Sequence, residues 1–319
     1  MINSFFKVLR PGISSTFQDK GRFGLQHLGV SPSGCMDQKS FLIANTLVKN
    51  DLDEGVLEFA YQGPLLKLVK GQTKIAITGN VIFKIIYLNK KIINGECFRT
   101  YDLKEGDEID ILATQKSAYG YLSIEGGFNL ESFYNSISTL TKARIGPNDG
   151  KKINTDDIIR LKKNSTIKKN FISCDLDEDS KIIRVLKGPQ YNYFSNKSQK
   201  IFFSENFKIS NLTDRMGMRL EGSFLENIIS TNIRSEGITK GAIQVPADGQ
   251  PIILLTDYPT IGGYPKIANV ISADYDVLIQ KTPGTNISFK CIDLSEAEKI
   301  YHTRNENIFK IINNIKEIK

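Results

Sequence analysis

The sequence predicts a mainly β protein with a few helices, built from two barrel or sandwich domains and a C-terminal helix. Short runs rich in β-branched residues recur along the chain, each bounded by glycine, asparagine or aspartate, and this pattern is typical of barrels and sandwiches. The length of 319 residues exceeds the usual single-domain size, so two domains with separate cores are expected. The predicted strands are residues 74–78, 82–88, 108–112, 119–124, 182–186, 252–256, 276–280 and 287–292.

Two helices are predicted from their capping residues. Asp37 precedes a run of apolar residues at helical spacing and is placed to cap it. Ser295 and Glu298 form a capping-box pattern that opens a second helix. Its apolar residues predict one face docked on the body of the protein or on a partner, with the protein itself preferred. These positions are Ala297, Ile300, Tyr301, Ile308, Ile311, Ile312 and Ile315.

A polar segment from Lys162 to Ser180 has the composition of an exposed connection between domains. It predicts three parts of the chain: an N-terminal domain, a second domain and the C-terminal helix, at residues 1–170, 181–294 and 295–319. Residues 6–12 resemble residues 183–189, and 55–66 resemble 241–253. These two matches weakly indicate an ancient duplication, in which Glu58 and Gln244 occupy equivalent strand positions.

Composition excludes several classes of protein. Hydrophobic residues make up 40% of the chain, and its longest apolar run, Val81 to Leu88, contains Lys84 and is too short to span a bilayer. Without a signal-peptide pattern, we expect a cytoplasmic protein that does not associate with membranes. The net charge of +7 comes from lysines spread along the chain, so no nucleic-acid role is expected. The lysines at 162–163 and 168–169 are interpreted as a solvated linker.

Cysteine and histidine usage indicates neither disulfides nor a metal site. The four cysteines lack paired spacing, so free thiols are expected; they are Cys35, Cys97, Cys174 and Cys291. The two histidines, His27 and His302, lie far apart without a pattern of metal ligands around them. We therefore predict no protein-built metal centre.

Glycine-rich loops between apolar strands carry the candidate catalytic residues. Arg215 and Arg219 bracket Gly217, which would let the backbone turn and direct a guanidinium at a carboxylate or phosphate. An ion pair of the arginines with Asp214 or Glu221 is the alternative.

Lys266 follows a Gly-Gly-Tyr-Pro turn that contains Tyr264. It could neutralise an anionic intermediate, or it could be a solvated lysine at a strand end. We predict Lys266 as a catalytic residue and Tyr264 as a substrate contact.

A second glycine-punctuated loop near the N-terminus holds Gln18, Asp19 and Arg22. Polar side chains in such a loop contact a ligand or form the turn itself, and Asp19 is equally suited to an Asx turn. Asp37 is a helix cap that can also border a ligand pocket. Glu58 lies in an apolar strand, where a buried carboxylate needs an arginine or lysine partner or a polar cavity.

Several motifs that define other enzyme classes are missing from the sequence. It has no Met-Lys-Met-like biotinyl acceptor, no G-x-S-x-G nucleophile elbow and no dinucleotide fingerprint. Gly262 and Gly263 do not begin a Walker-type phosphate loop, because no Gly-Lys-Ser/Thr follows them. Missing parts of the chemistry are therefore expected from partner subunits.

The motifs resemble the biotin-dependent carboxyltransferase-like family, whose members include allophanate hydrolase subunit 2, the carboxyltransferase part of urea carboxylase and one of the subunits of 5-oxoprolinase. The resemblance covers roughly residues 5 to 292. It is carried by Phe17 to Arg22, Gly29 to Asp37, Glu58 with Gly63-Pro64, Thr213 to Gly222, Gly249-Gln250-Pro251 and Gly262 to Lys266. It implies a pair of cyclophilin-like β-barrels and places Arg215 inside the family signature.

The resemblance implies three alternative functions. The first is membership of an ATP-dependent 5-oxoprolinase complex, together with a smaller subunit of the same family and a lactam-utilisation protein. The second is carboxyl transfer to urea or another small amide, which requires biotin on a separate carrier. The third is a regulatory module that antagonises a histidine-kinase inhibitor. Under the first, catalytic Arg215, Lys266 and Asp37 act beside the substrate contacts, which are Gln18, Asp19, Arg22, Glu58, Gln244 and Tyr264.

The sequence also departs from the family pattern. Lys240 replaces the proline that often follows Glu-Gly-Ile-Thr, and Lys151 stands where an arginine is expected after glycine. Residues 257–261 read Asp-Tyr-Pro-Thr-Ile in place of the usual arginine, glutamine and threonines. Scaffold glycines are kept while these polar positions differ, so the substrate is less defined than the fold.

Overall fold

The computed structural model describes residues 4–162, 169–173 and 180–317. Contacts between Cα atoms divide the chain into two compact units. The first unit comprises Met1–Arg22, Ser33–Leu176 and Asn307–Lys319, and the second comprises Phe23–Pro32 and Asp177–Glu306. The predicted domain limits of 1–170, 181–294 and 295–319 stay predictions.

The predicted mainly β class with a few helices is confirmed. The strands are β1 (Phe5–Arg10), β2 (Ser14–Gln18), β3 (Val56–Ala60), β4 (Leu65–Lys70), β5 (Gln72–Thr78), β6 (Val81–Ile86), β7 (Ile92–Asn94), β8 (Thr100–Lys104), β9 (Glu108–Thr114), β10 (Tyr119–Ile124), β11 (Ile158–Arg160), β12 (Asn170–Phe171), β13 (Ile182–Lys187), β14 (Phe207–Thr213), β15 (Gly217–Glu221), β16 (Glu236–Gly237), β17 (Ala242–Gln244), β18 (Ile252–Leu254), β19 (Ile261–Gly262), β20 (Lys266–Val270), β21 (Asn286–Cys291) and β22 (Lys316–Glu317). The helices are α1 (Gln38–Leu47), α2 (Pro147–Gly150), α3 (Asn196–Ser204), α4 (Tyr275–Ile279) and α5 (Leu294–Asn313), with 3₁₀ turns at Gln26–Leu28 and Tyr191–Tyr193.

Two antiparallel sheets form most of the first unit. Their strand orders are β11-β1-β4-β9-β6-β7 and β2-β3-β10-β5-β8. Both sheets contribute to one core, with Phe6 and Ile109 from the larger sheet and Phe59 and Leu122 from the smaller one. Because side chains alternate across a strand, the apolar residues of each sheet reach this shared core.

A closed seven-stranded barrel, β13-β20-β17-β18-β15-β14-β21, forms the centre of the second unit. A ring cluster lies at α3 and β21, where the centroids of Phe202 and Phe289 are 4.5 Å apart in a stacked arrangement. A separate two-stranded pair, β16 and β19, carries Glu236 opposite Gly262. This short ladder matters below because it brings Glu236 to the candidate site.

Helix α1 confirms the predicted Asp37 cap, since the Asp37 carboxylate accepts a hydrogen bond from the backbone N–H of Ser40 at 2.9 Å. Helix α5 begins one residue earlier than predicted. Its first turn is capped by Asp293, whose Oδ1 accepts from the backbone N–H of Glu296 at 2.8 Å. The predicted Ser295 cap is therefore wrong, because Ser295 already lies inside the helix.

The apolar face of α5 is largely buried, as predicted. In the second unit, Ala297 and Ile300 pack in a cluster with Ile271 and Ile292. In the first unit, the cluster around Leu47 and Phe98 includes Ile308, Ile311, Ile312 and Ile315. Tyr301 differs from the prediction, because it remains 42% exposed.

The predicted strand at residues 276–280 is wrong: this segment forms helix α4. Tyr275, Leu278 and Ile279 are buried at helical spacing, and the backbone N–H of Leu278 donates to the carbonyl of Asp274 at 2.9 Å. A short apolar run does not distinguish a strand from a buried helical turn by periodicity. Packing in the folded chain decided between them.

Part of the predicted exposed connection is also buried. Asn170 is 1% exposed and its side-chain amide donates to the carbonyl of Leu47 at 3.0 Å, while Ile172 is 3% exposed. β12 pairs with β22, which explains why this short piece is ordered against the first unit. Residues 163–168 and 174–179, which include Lys163, Lys168 and Cys174, lie outside the described residues.

The cysteines in the described ranges, Cys35, Cys97 and Cys291, are free thiols, as expected. Burial raises the pKa of Cys97 to about 11, so this thiol stays protonated at neutral pH. Within residues 4–162, 169–173 and 180–317, no helix combines the length and the hydropathy needed to cross a membrane.

Candidate functional site

The predicted site residues lie in two groups, one in each unit. The first unit holds Gln18, Asp19, Arg22, Asp37 and Glu58, and the second holds Arg215, Gln244, Tyr264 and Lys266. Within each unit, only some of these residues share hydrogen-bond partners. The structure brings together residues that are far apart in sequence within each unit.

Asp19 is the centre of the first cluster, which we call the Asp19 cluster and define by Gln18, Asp19, Arg22, Ser136 and Ser138. Asp19 is 7% exposed. Its Oδ1 accepts from the Ser136 hydroxyl at 2.7 Å and the Ser138 hydroxyl at 2.5 Å. The loop at 136–138 thus binds this carboxylate closely.

Backbone donors complete the environment of Asp19. Its Oδ1 accepts from the N–H of Gly21 at 2.8 Å, which is the Asx turn considered from the sequence. Its Oδ2 accepts from the N–H of Ile137 at 2.8 Å. Since both oxygens are held by the protein's own groups, the carboxylate orders two loops against each other.

Gln18 and Arg22 are buried on either side of Asp19, at 0% and 2% exposure. The Gln18 amide nitrogen donates to the carbonyl of Thr139 at 3.1 Å. The other amide atom, Oε1, has no hydrogen-bond partner among the described residues. Arg22 donates through Nη2 to the carbonyl of Ser138. All three predicted contacts of this loop are therefore interior residues.

Glu58 and Asp37 lie near one buried tyrosine. In the smaller sheet Glu58 of β3 is directly opposite Tyr121 of β10, and its Oε2 accepts from the backbone N–H of Met36 at 2.7 Å. The N–H of Asp37 donates to the Tyr121 hydroxyl oxygen at 2.7 Å. Burial, and then the charges of Glu58 and Asp37, raise the pKa of Tyr121 well above its ordinary value. The phenol therefore stays protonated at neutral pH.

Lys266 is the centre of the second cluster, which we call the Lys266 cluster and define by Lys266, Glu236, Gln190 and Gln244. Lys266 begins β20 and is 6% exposed, so it is a buried lysine and not the solvated strand-end residue considered as an alternative. Its ammonium forms an ion pair with Oε1 of Glu236. The Gln190 amide nitrogen donates to the same oxygen at 2.9 Å.

The Glu236 side chain is much more exposed to solvent than that of its partner Lys266. The Glu236 side chain is 44% exposed, whereas the Lys266 side chain is 7% exposed. The hydrogen bonds from Lys266 and Gln190 lower the pKa of Glu236 below its ordinary value. At neutral pH the cluster therefore combines a buried ammonium with an ionised carboxylate that reaches in from the surface.

Gln244 lies directly opposite Lys266 on the barrel, in the β17–β20 ladder. It is 5% exposed, and its amide nitrogen has no hydrogen-bond partner among the described residues. A Cβ atom at Gly262 would lie only 2.6 Å from this nitrogen, so the Gln244 amide lies close to the backbone at Gly262. The amide of Gln244 therefore lies against the β16–β19 pair that carries Glu236.

Arg215 forms a bidentate pair with Asp257, a residue that the sequence did not indicate as its partner. Nε and Nη2 of Arg215 are each 2.9 Å from a different carboxylate oxygen of Asp257. Both side chains are largely buried. The alternative considered from the sequence was an ion pair with Asp214 or Glu221; Asp214 Oδ1 accepts from the backbone N–H of Met216 at 2.8 Å.

The remaining predicted residues of this loop region are peripheral. Gly217 begins strand β15 and does not adopt a left-handed backbone, so the turn depends on Asp214 and not on this glycine. Arg219 is exposed on β15, and Tyr264 is 41% exposed. Of the two arginines, only Arg215 is built into the interior.

Sequence reasoning missed Glu236, Gln190, Asp257 and the 136–139 loop. The sequence did carry a signal that could have identified Glu236. This residue begins the Glu-Gly-Ile-Thr segment that precedes Lys240, where the sequence departs from the family pattern. The Lys240 ammonium lies 4.2 Å from the centroid of the Tyr275 ring, a cation–π contact. No local pattern marks Gln190, since its role depends on the fold of the second unit.

The described side chains form no cluster of metal ligands. In the ranges 4–162, 169–173 and 180–317, no group of three or more histidine, cysteine, aspartate or glutamate side chains is arranged to hold a metal ion. The chemistry available in the Lys266 cluster is that of a cation and amide donors. Such donors bind carboxylates and other oxyanions.

Comparison with known proteins gives full-length relatives. A Haemophilus influenzae protein whose name identifies it as one subunit of 5-oxoprolinase is 33% identical over 286 residues, which cover 90% of this chain and 91% of the relative. The Escherichia coli protein of the same name is 32% identical over 295 residues, or 92% of this chain and 93% of the relative.

A solved structure of a larger enzyme is similar in fold. The urea carboxylase of Kluyveromyces lactis superimposes with a TM-score of 0.84 at 27% identity, covering 96% of this chain but 29% of that one. The urea amidolyase of K. lactis also gives 0.84, and this chain spans only 20% of its length.

The family described as carboxyltransferase domain, subdomain A and B, matches residues 28–291. This match includes the Lys266 cluster, Arg215, Asp37 and Glu58, whereas Gln18, Asp19 and Arg22 precede it. Together with the full-length relatives and the shared fold, it shows that the chain belongs to this carboxyltransferase-domain family.

Proposed function

We propose that this chain is a subunit of an ATP-dependent 5-oxoprolinase complex, which opens the lactam of 5-oxoproline to give glutamate. The observation that carries the proposal is the near-complete mutual coverage with two proteins that are named as a subunit of 5-oxoprolinase. The urea enzymes, in contrast, contain the corresponding region as a small part of a much longer chain. Identity is also higher to the first group, at 32–33%, than to the urea enzymes, at 26–27%.

The Lys266 cluster is the part of the second unit best suited to this substrate. 5-Oxoproline carries a carboxylate, and a buried ammonium with neighbouring amides binds such a group more strongly than exposed lysines do. We assign Lys266 to binding of the negative charge of the substrate or of an activated intermediate. ATP, as co-substrate in the assembled complex, would supply the phosphoryl group that activates the lactam.

The other predicted residues receive supporting roles in this proposal. Arg215 holds Asp257 in a bidentate pair, and Asp37 caps α1, so both keep their surroundings in place. The Asp19 cluster and Glu58 act as an internal scaffold for the first unit. Tyr264 and Gln244 are proposed as substrate contacts next to Lys266.

Partner subunits are part of the proposal. Both relatives are named as one subunit of an enzyme, and this supports a complex of several chains. We propose the smaller subunit of the same family and a lactam-utilisation protein as the partners, acting together in the cytoplasm. The chain is expected to be inactive when alone.

The test is ATP-dependent release of glutamate from 5-oxoproline by the three chains together, compared with mixtures that lack each one. Release that requires this chain supports the proposal. Equal release without it, or no release from a complex shown to have formed, contradicts the proposal.

A second function is favoured by one observation, the fold shared with a urea carboxylase at a TM-score of 0.84. In that case the chain transfers a carboxyl group from carboxybiotin on a separate carrier to a small amide. The donor set of the Lys266 cluster also fits the carboxylate of carboxybiotin. Transfer of a labelled carboxyl group from carboxybiotin on a carrier protein to urea, dependent on this chain, would support this alternative.

A further inference from the structure

We infer that Lys266, Gln190 and Gln244 form a carboxylate-binding site in which Glu236 occupies the place of the ligand until substrate displaces it. The inference rests on the proposed function for the identity of the substrate, but the site itself follows from the contacts of the second unit. Glu236 is thus a built-in competitor. The expected ligand is a small monocarboxylate.

The contrast in burial between the two charged partners is the first observation. A lysine that is 6% exposed is held by a glutamate whose side chain is 44% exposed. A buried ammonium requires a negative partner. Because the partner reaches in from the surface, another anion can take its place without leaving the ammonium unpaired.

The orientation of Gln190 shows that the donors converge on one point. The Gln190 Oε1 accepts from the backbone N–H of Lys266 at 3.1 Å, and this fixes its amide nitrogen toward Glu236. The ammonium of Lys266 meets the same carboxylate oxygen. An ammonium and an oriented amide on one oxygen form the geometry of a bound carboxylate.

Gln244 supplies a donor that Glu236 does not use. Gln244 lies opposite Lys266 in the β17–β20 ladder. Its buried amide nitrogen has no hydrogen-bond partner among the described residues. Burying an amide donor unsatisfied is costly. A ligand carboxylate has two oxygens, so one can meet Lys266 and Gln190 while the other meets Gln244.

The segment that carries Glu236 is held much less firmly than the donors. Lys266 and Gln244 belong to the closed barrel. Glu236 belongs to the two-residue strand β16, and residues 234–237 are all exposed. Segments with few buried contacts open at low free-energy cost, so Glu236 can leave while the donors stay in position.

The test measures how tightly the isolated full-length chain binds 5-oxoproline, using amide chemical-shift changes in the isotope-labelled protein. Glu236→Gln removes the competing charge. If the Glu236 carboxylate is bound to the donors about nine-tenths of the time, only about one-tenth of the wild-type molecules have a vacant site. Glu236→Gln should then bind 5-oxoproline about tenfold more tightly. Pyrrolidin-2-one, which has the same ring without the carboxylate, should show no such gain.

Controls separate this effect from a loss of structure. Glu226→Gln, which changes an exposed glutamate of the same unit, should leave the affinity unchanged. Lys266→Met in the Glu236→Gln background should abolish the gain. Thermal unfolding of every variant checks the fold, and Glu236→Asp, which keeps the charge on a shorter side chain, is the second variant if Glu236→Gln unfolds.

The inference is overturned if folded Glu236→Gln binds 5-oxoproline no better than the wild type, if pyrrolidin-2-one gains equally, or if neither protein binds a carboxylate. Acetate, a carboxylate without the lactam ring, distinguishes failure of the carboxylate site from failure of the proposed function. Tighter acetate binding by Glu236→Gln, with no glutamate release from the complex, supports the carboxylate site and rejects only the 5-oxoproline assignment. Glutamate release without any gain in affinity rejects only the role of Glu236.

Discussion

The Asp19 cluster and the Lys266 cluster are both buried and polar, but they satisfy their charges differently. Asp19 takes its hydrogen bonds from a neighbouring loop and from backbone N–H groups of the same unit. Lys266 depends on an exposed glutamate from a two-residue strand. A charge satisfied entirely from within stabilises the fold, whereas a charge satisfied from the surface can exchange its partner.

The largest expected effect concerns the Asp19 cluster. Asp19→Ala leaves the hydroxyls of Ser136 and Ser138 and two backbone N–H groups without their acceptor. The free energy of unfolding should fall by about 3–5 kcal/mol, because each buried group left unsatisfied costs about 1–3 kcal/mol. Urea unfolding followed by circular dichroism measures the change.

Asp214→Ala is the matched control, since Asp214 also makes an Asx-type turn but at an exposed position. Its loss should be much smaller. Similar losses for Asp19→Ala and Asp214→Ala would show that the buried network of Asp19 has no special structural role.

The next effect concerns activity. Lys266→Met in the assembled complex should lower the rate of glutamate release about 10²–10³-fold, the range found when one donor to a developing negative charge is removed. Lys208→Met, at an exposed position on β14 of the same barrel, is the control. If Lys266→Met kept the wild-type rate and substrate affinity, the Lys266 cluster would not be part of the active site.

A smaller effect compares one helix cap from each unit. The Asp37 carboxylate accepts from both the backbone N–H and the hydroxyl of Ser40, at 2.9 and 2.7 Å. In the cap of α3, the neutral Ser195 hydroxyl accepts from the N–H of Ser198 at 3.2 Å and donates to the Ser198 hydroxyl at 3.0 Å. Each alanine substitution should cost about 1 kcal/mol in unfolding free energy, with the larger loss at Asp37. Equal losses would count against a stronger Asp37 cap.

The smallest effect is a pH dependence at Glu236. Its pKa is lower in the folded chain than the ordinary value of 4.5, so its ion pair contributes stability above that pH. The contribution is lost as the pH falls through the folded-state value. The difference in unfolding free energy between the wild type and Glu236→Gln should therefore be present at pH 7 and vanish in acid. A difference that persists at low pH contradicts ionisation of Glu236 as its source.

Much of the architecture was predictable because strands and helices leave local signals. Predicted strands at 119–124 and 182–186 correspond to β10 and β13, since tyrosines in the first and β-branched residues in the second favour an extended backbone. The error at 276–280 has a physical cause. A run of five residues is too short for its periodicity to distinguish a helix from a strand.

The candidate site was predictable only in part. Lys266, Gln244 and Asp19 were selected as chemically important, and all three are buried in polar clusters. Their partners were not identified, because Glu236, Gln190 and Ser138 are tens of residues or more away along the chain. Local sequence cannot specify such pairs, since they form only when the chain folds.

The sequence by itself determined the mainly β class, the Asp37 cap and the family motifs, because each depends on residues close together along the chain. Tertiary structure alone decided which charges are buried and which groups hold them. Arg215 forms a bidentate pair with Asp257, which is 42 positions away along the chain, since barrel strands bring position 257 beside position 215. For the same reason, Lys266 is a buried cation whose partner comes from the surface.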